Sequence, residues 1–192
     1  MILKEIYQSH LRQLHHLEVP HQKIVICFSG IPASGKTTLA KKIEERYGVV
    51  RINNDAIREI IAEIMIRRGM ERTEEKNQKI LHEYLTYFLE KYTEKNKCLL
   101  LDSGIDRSYE QVFACCKGKK YPLFIIRLET PLKEIRRRLA EREKEKPEHN
   151  SERLKKWIQE YREGKKKIIA DVTVRNVQEE KKLFEKLDEI LY

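Results

Sequence analysis

Hydrophobic residues follow two alternating patterns along the chain. Short apolar runs, typical of buried parallel strands, cover residues 23–29, 49–53, 97–102, 121–128 and 168–174. Between these runs the apolar residues recur every three or four positions, which is the spacing of an amphipathic helix. Because strands and helices alternate, we predict an α/β fold, in which helices cover both faces of a five-stranded parallel sheet.

Three of the helical segments have well-defined apolar stripes. The stripes are Leu39, Ala40, Ile43 and Tyr47; Ile57, Ile60, Ile61, Ile64 and Met65; and Leu81, Tyr84, Leu85, Phe88, Leu89 and Tyr92. Gly48 ends the first of these helices, and Asn54 and Asp55 begin the second. The tyrosines of the third stripe could stack on nucleic acid bases, but the pattern favours a place in the core.

Residues 1–20 predict another amphipathic helix, which precedes the first strand. We therefore divide the chain into an N-terminal helical extension, residues 1–22, and a main domain, residues 23–192. The extension contains four histidines: His10, His15, His16 and His21. No pattern of carboxylates or cysteines completes a metal site, so we expect these histidines to be solvated or to cap helices.

A helical lid is predicted between the fourth and fifth strands, at about residues 131–163. A very basic helix over residues 132–146 is broken at residues 147–150. A second helix then runs from residue 151 to about residue 162, and Gly164 ends it. A last amphipathic helix, residues 178–191, closes the chain.

The strongest motif lies between the first strand of the main domain and its first helix. Residues 30–38, Gly-Ile-Pro-Ala-Ser-Gly-Lys-Thr-Thr, fit the phosphate-binding pattern G-x-x-x-x-G-K-[ST]. In such a loop backbone NH groups form a nest for phosphate, the lysine reaches the β- and γ-phosphates, and the next hydroxyl binds Mg²⁺. The alternative is a Gly/Ser turn followed by a surface lysine, but the flanking strand and helix are the context that the motif requires. The predicted nucleotide-binding residues of the loop are Gly30, Ala33, Ser34, Gly35, Lys36, Thr37 and Thr38.

Three further polar residues lie at or just after the ends of predicted strands. Asp55 follows the second strand, Asp102 ends the third, and Asn176 follows the fifth. Open α/β sheets bind ligands at the carboxyl ends of their strands, where we expect these residues to meet the loop. A buried strand that ends in an acid is the Walker B arrangement, so we predict that Thr37 and Asp102 bind the metal.

The composition limits the partners and the environment of the protein. A net charge of +9 favours acidic ligands, which a nucleotide satisfies, and it permits nucleic acid without demanding it. No purely apolar run exceeds about five residues, far short of the roughly 20 that a membrane helix needs, so we predict no membrane partner. The four cysteines lack C-x-x-C spacing and come with no secretory signal, so we expect buried, reduced thiols in a cytoplasmic protein.

With these features in place, residues 24–176 resemble the small P-loop kinases, which have an AAA-type ATP-binding domain and the P-loop NTPase fold. The similarity is to the group of polynucleotide kinase, zeta-toxin-like kinases and chloramphenicol phosphotransferase. Four stretches carry it: residues 30–38, Asn54-Asp55-Ala56-Ile57-Arg58, Leu101-Asp102, and Arg138-Leu139-Ala140-Glu141-Arg142. The chain departs from polynucleotide kinase after Asp102, where Ser103-Gly104-Ile105 replaces an Asn/Thr-rich segment.

The resemblance implies that Asp55 accepts the proton of the attacking hydroxyl and that Arg58 helps to hold the acceptor. Both residues also have simpler interpretations. An aspartate at the start of a helix is favoured there as a cap, and an arginine on a helix can form an ordinary surface ion pair.

For the nucleotide, the resemblance implies that Arg138 stacks on adenine and that Arg142 contacts the phosphates, while Asn176 lies near the adenine edge. Arg136 and Arg137 are adjacent alternatives for the two lid roles. The other interpretation is that this basic helix face is simply solvated.

The sequence therefore predicts a Mg²⁺-dependent kinase that transfers the γ-phosphoryl group of ATP to a hydroxyl group. The acceptor is a polynucleotide 5′-hydroxyl, for which Asp55 and Arg58 argue, or a small metabolite, sugar or antibiotic, since no nucleic-acid-binding module is recognisable. A hypothesis of another class is an ATP-binding regulatory switch that acts on a partner through the N-terminal helix.

Overall fold

A computed structural model describes residues 2–14, 22–93, 97–143 and 150–192, including their side chains except at positions 13, 93, 142, 143, 150 and 151. Five strands form one sheet: β1 Val25–Ser29, β2 Val50–Asn53, β3 Leu99–Gly104, β4 Leu123–Leu128 and β5 Val172–Val174. They are all parallel and lie in the order β2-β3-β1-β4-β5. The predicted α/β fold with a five-stranded parallel sheet is confirmed.

Helices follow or precede every strand. The described residues contain α1 Ile2–Gln13, α2 Lys36–Tyr47, α3 Asn54–Arg67, α4 Glu74–Thr93, α5 Tyr109–Gly118, α6 Leu132–Glu143, α7 Asn150–Lys167 and α8 Val177–Leu191. The predicted helix over residues 1–20 thus ends earlier, at Gln13, and residues 15–21 lie outside the described part. The break predicted at residues 147–150 falls largely on residues 144–149, which also lie outside it.

The end of α7 was also predicted wrongly. Gly164 does not end α7, because the NH group of Ile168 donates a hydrogen bond to the Gly164 carbonyl at 2.8 Å and the helix continues to Lys167. The glycine serves a close approach instead: a Cβ atom at this position would lie 3.0 Å from Cβ of Asp106. β5 is also shorter than the predicted strand over residues 168–174, because it begins only at Val172; Ile169 is exposed.

The core lies on both faces of the sheet, and every residue of β1 is buried. The first two apolar stripes predicted from the sequence are buried in full on α2 and α3. On α4 the third stripe also packs into the core, with Tyr84 and Phe88 fully buried and only Leu85 partly so. These tyrosines are core residues, as the apolar pattern indicates, and not a platform for bases.

The N-terminal helix packs against α3 and α4, with Ile6 and Tyr7 buried in the same core as the sheet. The expectation that the histidines of this segment are solvated or capping is wrong for His10, which is buried with Nδ1 2.7 Å from the Tyr84 hydroxyl. Burial lowers the pKa of His10 to about 4. The other three histidines of the segment lie outside the described residues.

All four cysteines are free thiols; Cys27, Cys98 and Cys116 are buried and Cys115 is half-buried. Burial raises the pKa of the Cys98 and Cys116 thiols to about 12. Among the described helices, none is long and apolar enough to cross a membrane.

Candidate active site

The phosphate loop connects β1 to α2 and has the shape of an anion-binding nest. Gly30, Ala33 and Gly35 have positive φ angles of 153°, 66° and 104°, the type of backbone that lets a loop curve around an anion. A Cβ atom on Gly30 would lie 3.0 Å from the Leu128 carbonyl oxygen, so the first glycine is also needed for space. The start of α2 follows directly, and its dipole adds positive potential to the nest.

The lysine of the motif lies across the loop. Nζ of Lys36 donates hydrogen bonds to the carbonyl oxygens of Gly30 at 2.8 Å and Ile31 at 2.9 Å. These bonds hold the ammonium group beside the nest. A bound phosphate would therefore meet a positive charge that is already in place.

The structure brings the two predicted metal-binding residues together. Oγ1 of Thr37 donates a hydrogen bond to Oδ1 of Asp102 at 3.0 Å, and the Asp102 side chain is only 1 % exposed. A hydroxyl and a carboxylate are the hard oxygen donors that Mg²⁺ prefers. The residues present therefore fit a Mg²⁺ ion that also binds nucleotide phosphates.

An arginine that the sequence analysis did not single out completes this cluster. Nη1 of Arg51, on β2, donates to Oδ2 of Asp102 at 2.8 Å, and its Nε donates to Glu44 at 2.6 Å. The ion pair offsets the cost of burying the carboxylate. The only signal in the sequence is a charged residue within a predicted buried strand.

Asp55 and Arg58 lie together at the start of α3. Nη1 of Arg58 donates to Oδ1 of Asp55 at 2.8 Å, and the Asp55 side chain is 85 % exposed. The capping hydrogen bond at this helix comes from Asn53, whose side chain accepts from the Asp55 NH group. The Asp55 carboxylate is thus not the cap acceptor of α3.

The two helices of the predicted lid, α6 and α7, pack directly on the phosphate loop. A small apolar cluster, separate from the main core, joins Ile31 and Ala33 of the loop to Ile135, Leu139 and Leu154 of these helices. Trp157 and Tyr161 of α7 pack against the same cluster. The loop is therefore in contact with both α6 and α7.

The lid arginines differ in what they face. Nη1 of Arg138 donates to the Ala33 carbonyl at 3.1 Å, so this arginine reaches the phosphate loop. Arg136 is exposed, and Arg137, also exposed, forms ion pairs with Glu134 and Glu141 on its own helix. The side chain of Arg142 is not among those described.

Two cavities flank the phosphate loop. The first, about 280 Å³, lies beside Lys36 and Asp102, and the second, about 340 Å³, lies beside Arg138. Predicted site residues lining the first are Gly30, Ala33, Gly35, Lys36, Thr37, Thr38, Asp55, Arg58 and Asp102. Those lining the second are Ala33, Ser34, Gly35, Thr38, Arg138 and Asn176. Asn176 also caps α8, because its side chain accepts from the Glu179 NH group at 3.0 Å.

The first cavity is also lined by residues that the sequence analysis did not select: Asp106, Arg107, Trp157, Glu160 and Tyr161. Arg107 and Glu160 form an ion pair at 3.2 Å that joins the loop after β3 to α7. Two aromatic residues spaced four positions apart on a helix predict a buried apolar face, so the sequence did not indicate that Trp157 and Tyr161 line a cavity.

Comparison with known proteins gives a family and a set of similar folds. The sequence profile of a family described as AAA domain matches residues 25–164. No curated protein sequence matches the chain.

Several solved structures share the fold. A protein of the PezAT chromosomal toxin–antitoxin system of Streptococcus pneumoniae is 17 % identical, with a TM-score of 0.64, over 89 % of this chain and 74 % of that one. A gluconokinase from Sinorhizobium meliloti is 17 % identical, with a TM-score of 0.55, over 91 % and 98 %. A shikimate kinase from Acinetobacter baumannii, in complex with shikimate, is 20 % identical, with a TM-score of 0.54, over 88 % and 96 %.

Proposed function

The chain belongs to the AAA domain family, and from this premise we propose that it is a Mg²⁺-dependent kinase that transfers the γ-phosphoryl group of ATP to a hydroxyl group of a small molecule. The observation that carries the proposal is the position of the phosphate loop between two cavities. A transferase must hold a donor and an acceptor on either side of the phosphate that moves, and this arrangement provides for both.

The second cavity suits the base of the nucleotide. Arg138 offers a planar guanidinium group that can stack on a purine, and Asn176 lies at the rim of the same cavity. The triphosphate then follows the nest toward Lys36. Arg142 is a further candidate for the phosphates by resemblance alone.

Thr37 and Asp102 would hold Mg²⁺, which when bound would neutralise negative charge that builds up on the phosphates during transfer. The chain's own residues supply the rest. Asp55 accepts the proton of the acceptor hydroxyl, and Arg58 orients the carboxylate through their ion pair. The hydroxyl oxygen forms a bond to the γ-phosphorus, the bond from that phosphorus to the β–γ bridging oxygen breaks, and ADP leaves.

The size of the first cavity favours a small acceptor over a polynucleotide end. Its volume of about 280 Å³ must also admit the terminal phosphate, and Trp157, Glu160 and Tyr161 of α7 form one wall. Among the similar folds, the gluconokinase and the shikimate kinase are named for small hydroxyl-bearing acceptors. Both points favour a small-molecule acceptor over a polynucleotide 5′-hydroxyl, the two alternatives given by the sequence.

The hypothesis of a regulatory switch acting through the N-terminal helix has less support. The apolar face of α1 already packs on α3 and α4, which leaves that face occupied within the molecule. A switch also has no need for an acid and an ion-paired arginine beside the phosphate loop.

The direct test is transfer of label from γ-labelled ATP, with Mg²⁺, into a soluble cell extract that is then separated into small-molecule, nucleic acid and protein fractions. We expect label in the small-molecule fraction with the wild type and none with Lys36→Ala. Lys41→Ala, an exposed lysine on the same helix, is the matched control and should transfer as the wild type does. Label in a nuclease-sensitive polymer would instead support a polynucleotide acceptor. Equal labelling by wild type and Lys36→Ala would contradict the proposal that the protein is a kinase.

A further inference from the structure

Asp106 stands at the junction of three parts of the site. It lies in the turn between β3 and α5, outside every motif of the sequence analysis. Its Oδ1 accepts a hydrogen bond from the Ser29 hydroxyl at 2.7 Å, and its Oδ2 accepts from the Gly30 NH group at 3.0 Å. Both donors belong to the end of β1, where the phosphate loop begins.

The same glycine links Asp106 to the lysine of the motif. The NH group of Gly30 donates to Asp106, and the carbonyl of Gly30 accepts from Lys36 at 2.8 Å. A residue held at both its NH and its carbonyl has little freedom to rotate. Asp106 therefore fixes the Gly30 residue that in turn holds the Lys36 ammonium group.

On its other side Asp106 meets the lid. Gly164 of α7 is buried against it, and a Cβ atom at position 164 would lie 3.0 Å from Cβ and 3.2 Å from Cα of Asp106. Such distances are tighter than nine in ten real Cβ contacts, so Asp106 or α7 would have to move by a few tenths of an ångström. The Arg107–Glu160 ion pair ties the neighbouring residue of the same turn to α7 as well.

We propose that Asp106 is a positioning residue that couples α7 to the phosphate loop, so that a displacement of the lid helix changes how the loop binds nucleotide. Both oxygens of the carboxylate accept hydrogen bonds from the start of the loop. A displacement of Asp106 caused by α7 at position 164 therefore also displaces Ser29 and Gly30. The inference rests on the nucleotide-binding part of the proposed function, and it needs no acceptor.

Gly164→Ala is the primary test, because it removes no polar group and alanine favours a helix more than glycine does. The added methyl group must displace Asp106 or α7. We expect the dissociation constant for ATP with Mg²⁺, measured by calorimetry, to rise at least fivefold, the lower end of usual couplings between sites. Trp157, the one tryptophan of the sequence, lines the first cavity, so its emission on ATP addition should also change less than in the wild type.

Two variants make the test specific to Asp106. Gly118→Ala is the matched control, because Gly118 also lies in a helix but a Cβ atom there would meet nothing within 4 Å. Its affinity for ATP should equal that of the wild type. In an Asp106→Asn background the amide can no longer accept hydrogen bonds at both atoms, so one of the two bonds to Ser29 and Gly30 is lost. Gly164→Ala should then change the affinity for ATP less than twofold, because a displacement of residue 106 is no longer passed on to the loop.

Each result decides the proposal. A Gly164→Ala protein that binds ATP as the wild type does overturns it, and so does an equal effect of Gly164→Ala in the wild-type and Asp106→Asn backgrounds. A wild type that binds ATP but phosphorylates nothing overturns the proposed kinase and leaves this coupling standing. A wild type that does not bind ATP overturns both.

Discussion

Arg51 and Thr37 hold opposite oxygens of the same buried carboxylate, that of Asp102. The guanidinium group donates to Oδ2 at 2.8 Å and the hydroxyl donates to Oδ1 at 3.0 Å. The positive charge of Arg51 thus stands beside the place predicted for Mg²⁺. The charge of the Asp102 carboxylate is compensated before any metal binds, which limits how strongly the free ion is attracted.

Arg51→Met is therefore expected to destabilise the protein and to increase its response to metal. Removing one partner of a buried ion pair leaves an uncompensated carboxylate, which costs about 3 kcal/mol in the free energy of unfolding. Mg²⁺ with ATP should restore more stability to this variant than to the wild type, because the ion replaces the lost positive charge. Chemical denaturation with and without Mg²⁺ and ATP measures both.

The matched control for this variant is Arg72→Met, which changes an exposed arginine outside the site. Its free energy of unfolding should move by no more than about 0.5 kcal/mol, as for most surface substitutions. If Arg51→Met and Arg72→Met unfold alike, the ion pair with Asp102 contributes nothing.

Asp55→Asn is expected to remove catalysis and leave nucleotide binding intact. Loss of a positioned general base lowers kcat by about 10²- to 10⁴-fold. Nucleotide binding should not change, because Asp55 lines the first cavity, proposed for the acceptor, and not the second cavity, proposed for the base of the nucleotide. The KM for ATP should stay within about twofold, since Lys36 and the nest are unchanged. Steady-state kinetics with the acceptor found by labelling gives both constants.

The capping alternative for Asp55 makes a different prediction. Asn53 accepts the capping bond, so Asn53→Ala should cost about 1 kcal/mol of stability, whereas Asp55→Asn should cost less. A normal kcat combined with a loss of stability as large as that of Asn53→Ala would assign Asp55 to the helix end.

Arg138→Lys is expected to weaken ATP binding although the charge is kept. A lysine has no planar group to stack on a purine and cannot reproduce the two donor directions of Arg138, from Nη1 to the Ala33 carbonyl and from Nε to Glu134, so the KM for ATP should rise about tenfold. Arg137→Lys, one position away on the exposed face, should leave KM unchanged. Equal constants for the two variants would contradict the assignment of Arg138 to the nucleotide.

The parts of the fold and of the site that could be predicted from the sequence are those that depend on residues close together along the chain. The stripe from Ile57 to Met65 and the phosphate loop are contiguous in sequence, and the structure has both where the pattern puts them. Gly164 was misread because its reason lies in Asp106, far away along the chain. The roles of Arg51 and Asp106 could not be predicted for the same reason, since their partners are set by how strands and helices pack.

His10 shows the same limit, and it predicts how stability depends on pH. Its partner, the Tyr84 hydroxyl, lies on α4, which no pattern within residues 1–20 could indicate. The pKa of His10 is about 4 in the folded protein, against about 6.5 for an unfolded histidine, so the unfolded chain binds the proton more tightly. The stabilising contribution of neutral His10 to the free energy of unfolding is therefore fully present above about pH 7 and decreases as the pH falls below about 6.5.

The size of this loss can be measured by chemical denaturation at several pH values. Between pH 7 and pH 5 the two pKa values predict a decrease of about 2 kcal/mol in the free energy of unfolding. His10→Gln should abolish most of this slope, because glutamine does not titrate and can still bond to Tyr84. His82→Gln, at an exposed position on α4, should keep the wild-type slope, and an unchanged slope in His10→Gln would mean that His10 does not control it.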